Sequence, residues 1–263
     1  MSFAELFADV RTSQRAALLP YLMTGIPDVE ASVSLFEAMA EAGADGFEIG
    51  IPYADPLMDG PVIQEAGCRA LENGMTMERG LAITQAVVER TGKPSVIMTY
   101  TNPVLRAGPE RFAAMAAEAG ASGVIVADLP VDEAGPIQEA VEGAGLGMVL
   151  FAAPTTSDAR LLQIVEAVPA FIYGVAEMGV TGERSVASER AGGLVARIRA
   201  VTTIPVVLGV GISGPEAASA AAKLADGVIV GSALVRRVLD APDTDSAAQA
   251  LSRAVSDLAA AVR

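Results

Sequence analysis

An α/β protein, a (β/α)8 TIM barrel with an extra N-terminal helix, is the fold class that three features of this 263-residue chain predict. Eight short apolar runs recur along it, Ala-rich segments with helical spacing separate them, and the eight repeats fill about 250 residues. That count and length suit a closed barrel, whereas an open doubly wound sheet usually needs fewer strands.

In chain order, the acidic amphipathic start, roughly residues 2–13, predicts a helix that closes the barrel floor. The apolar runs follow as ALLPYLM (17–23), GFEIGI (46–51), SVIMTY (95–100), GVIVAD (123–128), GMVLFAA (147–153), AFIYGVA (170–176), PVVLGVG (205–211) and DGVIVG (226–231). Each is continuous rather than alternating, as parallel strands covered on both faces require. Between them, ASVSLFEAMAEAG (31–43), RFAAMAAEAG (111–120) and PIQEAVEGAG (136–145) carry apolar residues at three- and four-residue spacing. Their closing AG pairs read as helix C-terminal glycines that turn the chain into the next strand. A last helix over 246–261 completes the outer ring. No linker or low-complexity tract interrupts this pattern, so residues 1–263 are expected to form one domain.

Composition removes several classes of function. A net charge of −14 repels phosphate backbones and anionic lipid heads, which argues against nucleic-acid and membrane partners. No apolar run reaches the roughly 18 residues of a spanning helix, and the N-terminus has no basic segment leading into an apolar one. One cysteine, Cys68, excludes an internal disulfide, suits the cytoplasm, and reads as a small buried apolar group. The chain has no histidine, which eliminates Ser-His-Asp and Cys-His catalysis, Glu-His isomerase chemistry and imidazole metal sites. Neither lysine, Lys93 nor Lys223, lies at a strand's C-terminal end, so Schiff-base aldol chemistry is disfavoured. Carboxylate acid–base work, helped by tyrosine and backbone dipoles and needing no metal, survives.

The segment GFEIGIPYADPLMDGP, residues 46–61, concentrates the acidic candidates. Glu48 sits mid-run between Phe47 and Ile49, where an inward side chain enters the barrel mouth. An apolar setting there would raise its pKa toward neutrality. A structural glutamate satisfied by backbone or arginine is the competing reading. Asp59 closes the following loop just before a helix opened by Pro61 and reads equally as a helix-entry residue. Asp55, before Pro56, reads as a turn or a contact.

Three glycine-bearing loops follow the last three strands. GVGISGPE offers Gly209 and Gly211 for close backbone approach, with Ser213 and Glu216 as a capping box. VGSALV opens a short helix at Gly231 and Ser232. EMGVTGERSV, with Gly179 and Gly182 around Thr181, has the length of a closing lid. Loops after strands 7 and 8 of such barrels commonly hold phosphate.

The motifs FEIGIPYADPLMDGP, VADLPVDE, YGVAEMGVTG, GVGIS and GSALV, in that order over about residues 5–255, strongly resemble the tryptophan synthase α chain family. The resemblance implies a TIM-barrel lyase that cleaves indole-3-glycerol phosphate to indole and glyceraldehyde 3-phosphate with no cofactor of its own. It implies Glu48 as the acid/base that protonates indole C3, Asp59 as the group at the indole nitrogen, and Tyr173 beside the glycerol carbons. It implies that Tyr21, Met98, Tyr100 and Ile125 line the indole slot. Gly182, Gly211, Gly231 and Ser232 would hold the phosphate, and Thr181 would close the lid on Asp59. The family docks a pyridoxal-phosphate β chain on the loop face in an α2β2 complex, so Asp55, Pro56, Asn102 and Pro130 become candidate contacts, each of which also reads as loop punctuation. The chain departs from the family pattern at Ala54, Val62 and Glu177, where Ser, Thr and Arg are usual. A non-catalytic phosphate-binding barrel that serves only as an allosteric subunit is the rival expectation. A synthase of the same pathway would require a lysine at a strand end, which this chain lacks.

Overall fold

The computed structural model describes residues 2–175, 184–209 and 211–263. Among them, the eight apolar runs form β1 (Ala17–Met23), β2 (Phe47–Gly50), β3 (Ser95–Thr99), β4 (Gly123–Val126), β5 (Gly147–Ala152), β6 (Phe171–Val175), β7 (Val206–Gly209) and β8 (Gly227–Val230). Every neighbouring pair is parallel and β8 closes on β1, from Ala17 opposite Gly227 to Pro20 opposite Val230. The predicted (β/α)8 barrel is therefore the observed fold. Its register carries one phase round the ring: Tyr21 faces Glu48, Met98 faces Ile125, Phe151 faces Tyr173, and Val175 faces Gly209. Residues of that phase point to the barrel axis and those between them to the helices. Both faces are apolar because both are covered, which is why the runs do not alternate.

The helix Phe3–Thr12 plugs the floor as expected. A reciprocal Ser2–Glu5 capping box starts it, and Phe3 and Phe7 pack edge-on against Phe171 at the base of β6, with ring centroids 5.4 and 5.9 Å apart. Arg11 then anchors to Asp226, whose carboxylate also accepts the Val206 amide at 2.9 Å, so helix, β7 and β8 share one polar fastening. The closing helix, Thr244–Ala261, is capped by Asp243 and packs on the helix Ser32–Glu41 as well as on Ser232–Leu239, joining both ends of the outer ring. Gly43, Gly120 and Gly145 adopt φ of 109°, 74° and 78°, the left-handed geometry expected of the AG helix ends.

Three sequence expectations change. Cys68 is exposed on the helix Pro61–Glu72, because it falls on the face opposite Ile63, Ala66 and Ala70. Strand β3 ends at Thr99, and Tyr100 instead leads into a helix, Thr101–Ala107. That helix has no cap of its own: Asp128, beyond β4, accepts from the Thr101 amide and hydroxyl at 2.7 and 2.8 Å. A cap supplied from 27 residues away leaves no local signal. Ser213 and Glu216 do not make a capping box, since the helix Pro215–Ala222 starts behind Gly214 without a side-chain cap. Among the described residues, no helix is long and apolar enough to cross a membrane.

Candidate active site

The strands' C-terminal ends enclose a cavity of about 980 Å³, walled by Tyr21, Glu48, Asp59, Met98, Tyr173 and Ile229 among others. Glu48 reaches it from the middle of β2 and is 4% exposed, while its neighbours Phe47 and Ile49 turn to the helices, Phe47 meeting Phe36 edge-on at 5.2 Å. Strand alternation sends the carboxylate inward, and no cation among the described residues pairs with it. Among the described residues its Oε2 atom has no hydrogen-bond partner. Burial, and then the charge on Asp59, pushes its pKa up to about 8, so the group carries a proton at neutrality.

Asp59 comes from a loop, yet its backbone is held at both ends. Its amide donates to the Pro56 carbonyl at 3.0 Å, and its own carbonyl accepts from Gln64 Nε2 at 2.8 Å. Partial burial raises its pKa to about 6, against the opposing effect of the Tyr100 hydroxyl beside it. At pH 7 the two acids therefore stand in different states, Glu48 neutral and Asp59 ionised. Burial holds the phenols of Tyr21 and Tyr173 well above their ordinary range, so both remain neutral donors.

Two glycines make room for these tyrosines. A Cβ on Gly50 would lie 2.3 Å from the Tyr21 hydroxyl, and one on Gly209 would lie 2.2 Å from that of Tyr173. Gly209 is thus occupied by a tyrosine of the neighbouring strand, and the sequence reading of it as a ligand-approach glycine is corrected. On the same side, Gly211, with φ 73°, and Gly231 and Ser232, which start the helix Ser232–Leu239, all border the cavity. Thr181 and Gly182 lie outside the described residues, as does Glu177.

Met98 and Tyr21 sit on the wall as expected, but Tyr100 and Ile125 stand behind it. Ile125 is fully buried between Met98 and Val149 in the barrel layer below, and Ala127, two residues onward in the same phase, takes its place. Tyr100 backs Asp59 from a position 2% exposed. Phe151 and Ile229, which the sequence reading passed over, do face the cavity, and Phe151 packs on Tyr173 at 5.1 Å. Counting two residues along each run from a known inward position finds both.

Asp55, Pro56, Asn102 and Pro130 occupy the loops after β2, β3 and β4 on the cavity's own face, Pro56 half-buried and the others exposed. Beside them Leu57 and Met58 stand 77% and 64% exposed, an apolar loop tip that sequence reasoning did not single out.

Fold and cavity together define a (β/α)8-barrel enzyme with its reactive groups at the strands' C-terminal ends. The profile of the tryptophan synthase alpha chain family matches residues 7–263. The tryptophan synthase alpha chain of Salinispora tropica is 47% identical over 257 residues, covering 98% of this chain and 96% of the relative. That of Streptomyces avermitilis is 42% identical over 260 residues, covering 99% and 94%. The structure of Mycobacterium tuberculosis tryptophan synthase superposes with a TM-score of 0.89 at 42% identity over 99% of this chain and 98% of that one. The chain belongs to the tryptophan synthase alpha chain family. It is accordingly a lyase of tryptophan biosynthesis, an alpha subunit that cleaves indole-3-glycerol phosphate.

Proposed function

We propose that the cleavage runs as a retro-aldol reaction driven by the two carboxyl groups. The reading is carried by one observation: Glu48 is buried and, among the described residues, unpartnered at Oε2, in the cavity that also holds Asp59, a setting that pushes its pKa up to about 8 against about 6 for Asp59. The neutral carboxyl gives its proton to indole C3, and the positive charge that spreads to the indole nitrogen is met by Asp59. The Glu48 carboxylate left behind is then the base that takes the proton of the adjacent glycerol hydroxyl. As that proton leaves, the C3–carbon bond breaks, its electron pair returns to the ring, and indole and glyceraldehyde 3-phosphate separate. Glu48 ends as it began, so the cycle needs no metal, electron carrier or cofactor in this chain. Tyr173, neutral and beside Phe151, is the donor nearest the glycerol carbons, while Tyr21 and Met98 form the slot for the ring.

The phosphate is assigned to backbone N–H groups around Gly211, Gly231 and Ser232, where a helix start offsets the protein's acidity locally. The loop face with Asp55, Pro56, Leu57, Met58, Asn102 and Pro130 is assigned to a pyridoxal-phosphate β chain, in an α2β2 complex of the cytoplasm. Its exposed apolar tip favours a protein contact over plain solvent. The test is indole release from indole-3-glycerol phosphate, with and without β chain. Glu48→Gln is expected to lose nearly all turnover while still binding a glycerol phosphate analogue. Near-parental turnover by that variant sinks the mechanism.

A further inference from the structure

Tyr53 takes no part in the chemistry above, yet it is built into the wall behind Asp59. It lies half-buried in the loop after β2, its ring packed on that of Tyr100 with centroids 5.3 Å apart and planes 34° from parallel. Its hydroxyl accepts a hydrogen bond from Asn102 Nδ2 at 3.0 Å. The root of Tyr100 is fixed separately, because the next residue, Thr101, is tied by amide and hydroxyl to Asp128. With its backbone held, only two side-chain torsions decide where the Tyr100 hydroxyl points. That hydroxyl is buried beside the Asp59 carboxylate and the Met58 backbone, but among the described residues neither contact has the alignment of a full hydrogen bond. Contacts so poorly aligned hold the hydroxyl weakly, and packing around the ring must supply the rest.

We propose that Tyr53 is a positioning residue for the cleavage: its ring, fixed by Asn102, blocks rotation of the Tyr100 ring and so keeps the Tyr100 hydroxyl presented to Asp59. The inference rests on the reading of Asp59 as the carboxylate that meets the developing charge. What it adds is the means by which that carboxylate stays ionised. Among the described residues the titratable groups facing Asp59 are acids: Glu48 from β2 and the Tyr21 phenol from β1, with Tyr173 on β6 facing Glu48 and Asp128 after β4 facing Tyr100, while Arg160 on the same cavity's wall is paired with Asp132. Burial raises the Asp59 pKa, and the Tyr100 hydroxyl lowers it. A donor that swings away leaves the carboxylate to its acidic surroundings.

The experiment is the pH profile of kcat for indole release by the full chain, read on its acid limb. Tyr53→Leu is expected to move that limb up by about half a pH unit, a roughly threefold loss below the limb, with less than about a twofold change on the plateau and in KM. Tyr100→Phe should move it at least as far. Tyr53→Phe and Asn102→Ala each delete the same hydrogen bond, so both should shift the limb by one smaller amount and the double variant no further. Should Tyr53→Leu fail to fold, this cycle carries the test alone. A limb that stays put in Tyr53→Leu, or in both members of the cycle, while Tyr100→Phe moves it, overturns the inference and leaves the role of Asp59 intact. A parental acid limb in Asp59→Asn removes the role of Asp59 itself, and the inference with it.

Discussion

Glu48→Gln should make the protein more stable, and increasingly so as pH rises. In the unfolded chain the Glu48 carboxyl titrates near its ordinary value of 4.5, whereas in the fold it titrates near 8. Between those values the folded state holds a proton that the unfolded state has released, so stability falls as pH climbs through the window and levels off above it. At about 1.4 kcal/mol per pKa unit, the cost is on the order of 3 kcal/mol at pH 7 and about 5 kcal/mol above pH 8. Glutamine keeps the shape and never ionises. Its amide carries a desolvation cost of its own, but that cost does not vary with pH and leaves the slope untouched.

The assay is chemical denaturation of parent and Glu48→Gln at intervals from pH 5 to pH 9. The variant-minus-parent difference is expected to grow by roughly 4 kcal/mol across that range, since only the parent carries the penalty. Asp59 titrates in both proteins and cancels to first order. A difference that stays flat would mean that Glu48 ionises freely in the fold, and the proton donor inferred for the reaction would disappear with it. Stability gained where turnover is lost is the mark of a group held in place for chemistry rather than for folding.

Further outcomes follow from the same geometry. Gly50→Ala places a methyl 2.3 Å from the Tyr21 hydroxyl, and should cost about 1–3 kcal/mol in urea denaturation together with most of the indole release; a silent substitution would show that the phenol is free to move. Leu57→Asp, at a position 77% exposed, should leave stability within about 0.5 kcal/mol yet weaken β chain binding about tenfold in calorimetry, and unchanged affinity would remove that loop tip from the interface.

What could be read from the chain alone divides along a physical line. The eight strands, the floor helix and the inward turn of Glu48 were legible because each follows from periodicity or from a run of a few residues. The inward phase also reaches Phe151 and Ile229, so both cavity-facing positions follow from the strand period alone. Other features depend on residues distant in sequence that barrel closure brings together. Gly209 looks like a phosphate glycine because it stands in GVGIS, but the atom that forbids a side chain there belongs to Tyr173, on the strand before. The helix after β3 is capped by Asp128 from the next strand's end, and the placing of Tyr100 behind Asp59 follows from that cap. Local pattern thus suffices to deliver the acid to the cavity. The proton state of each acid is decided first by burial inside the closed barrel, then by the charge of Asp59 on Glu48 and by the Tyr100 hydroxyl on Asp59, and it is this second, nonlocal layer that makes two carboxyl groups of ordinary type differ in charge at the same pH.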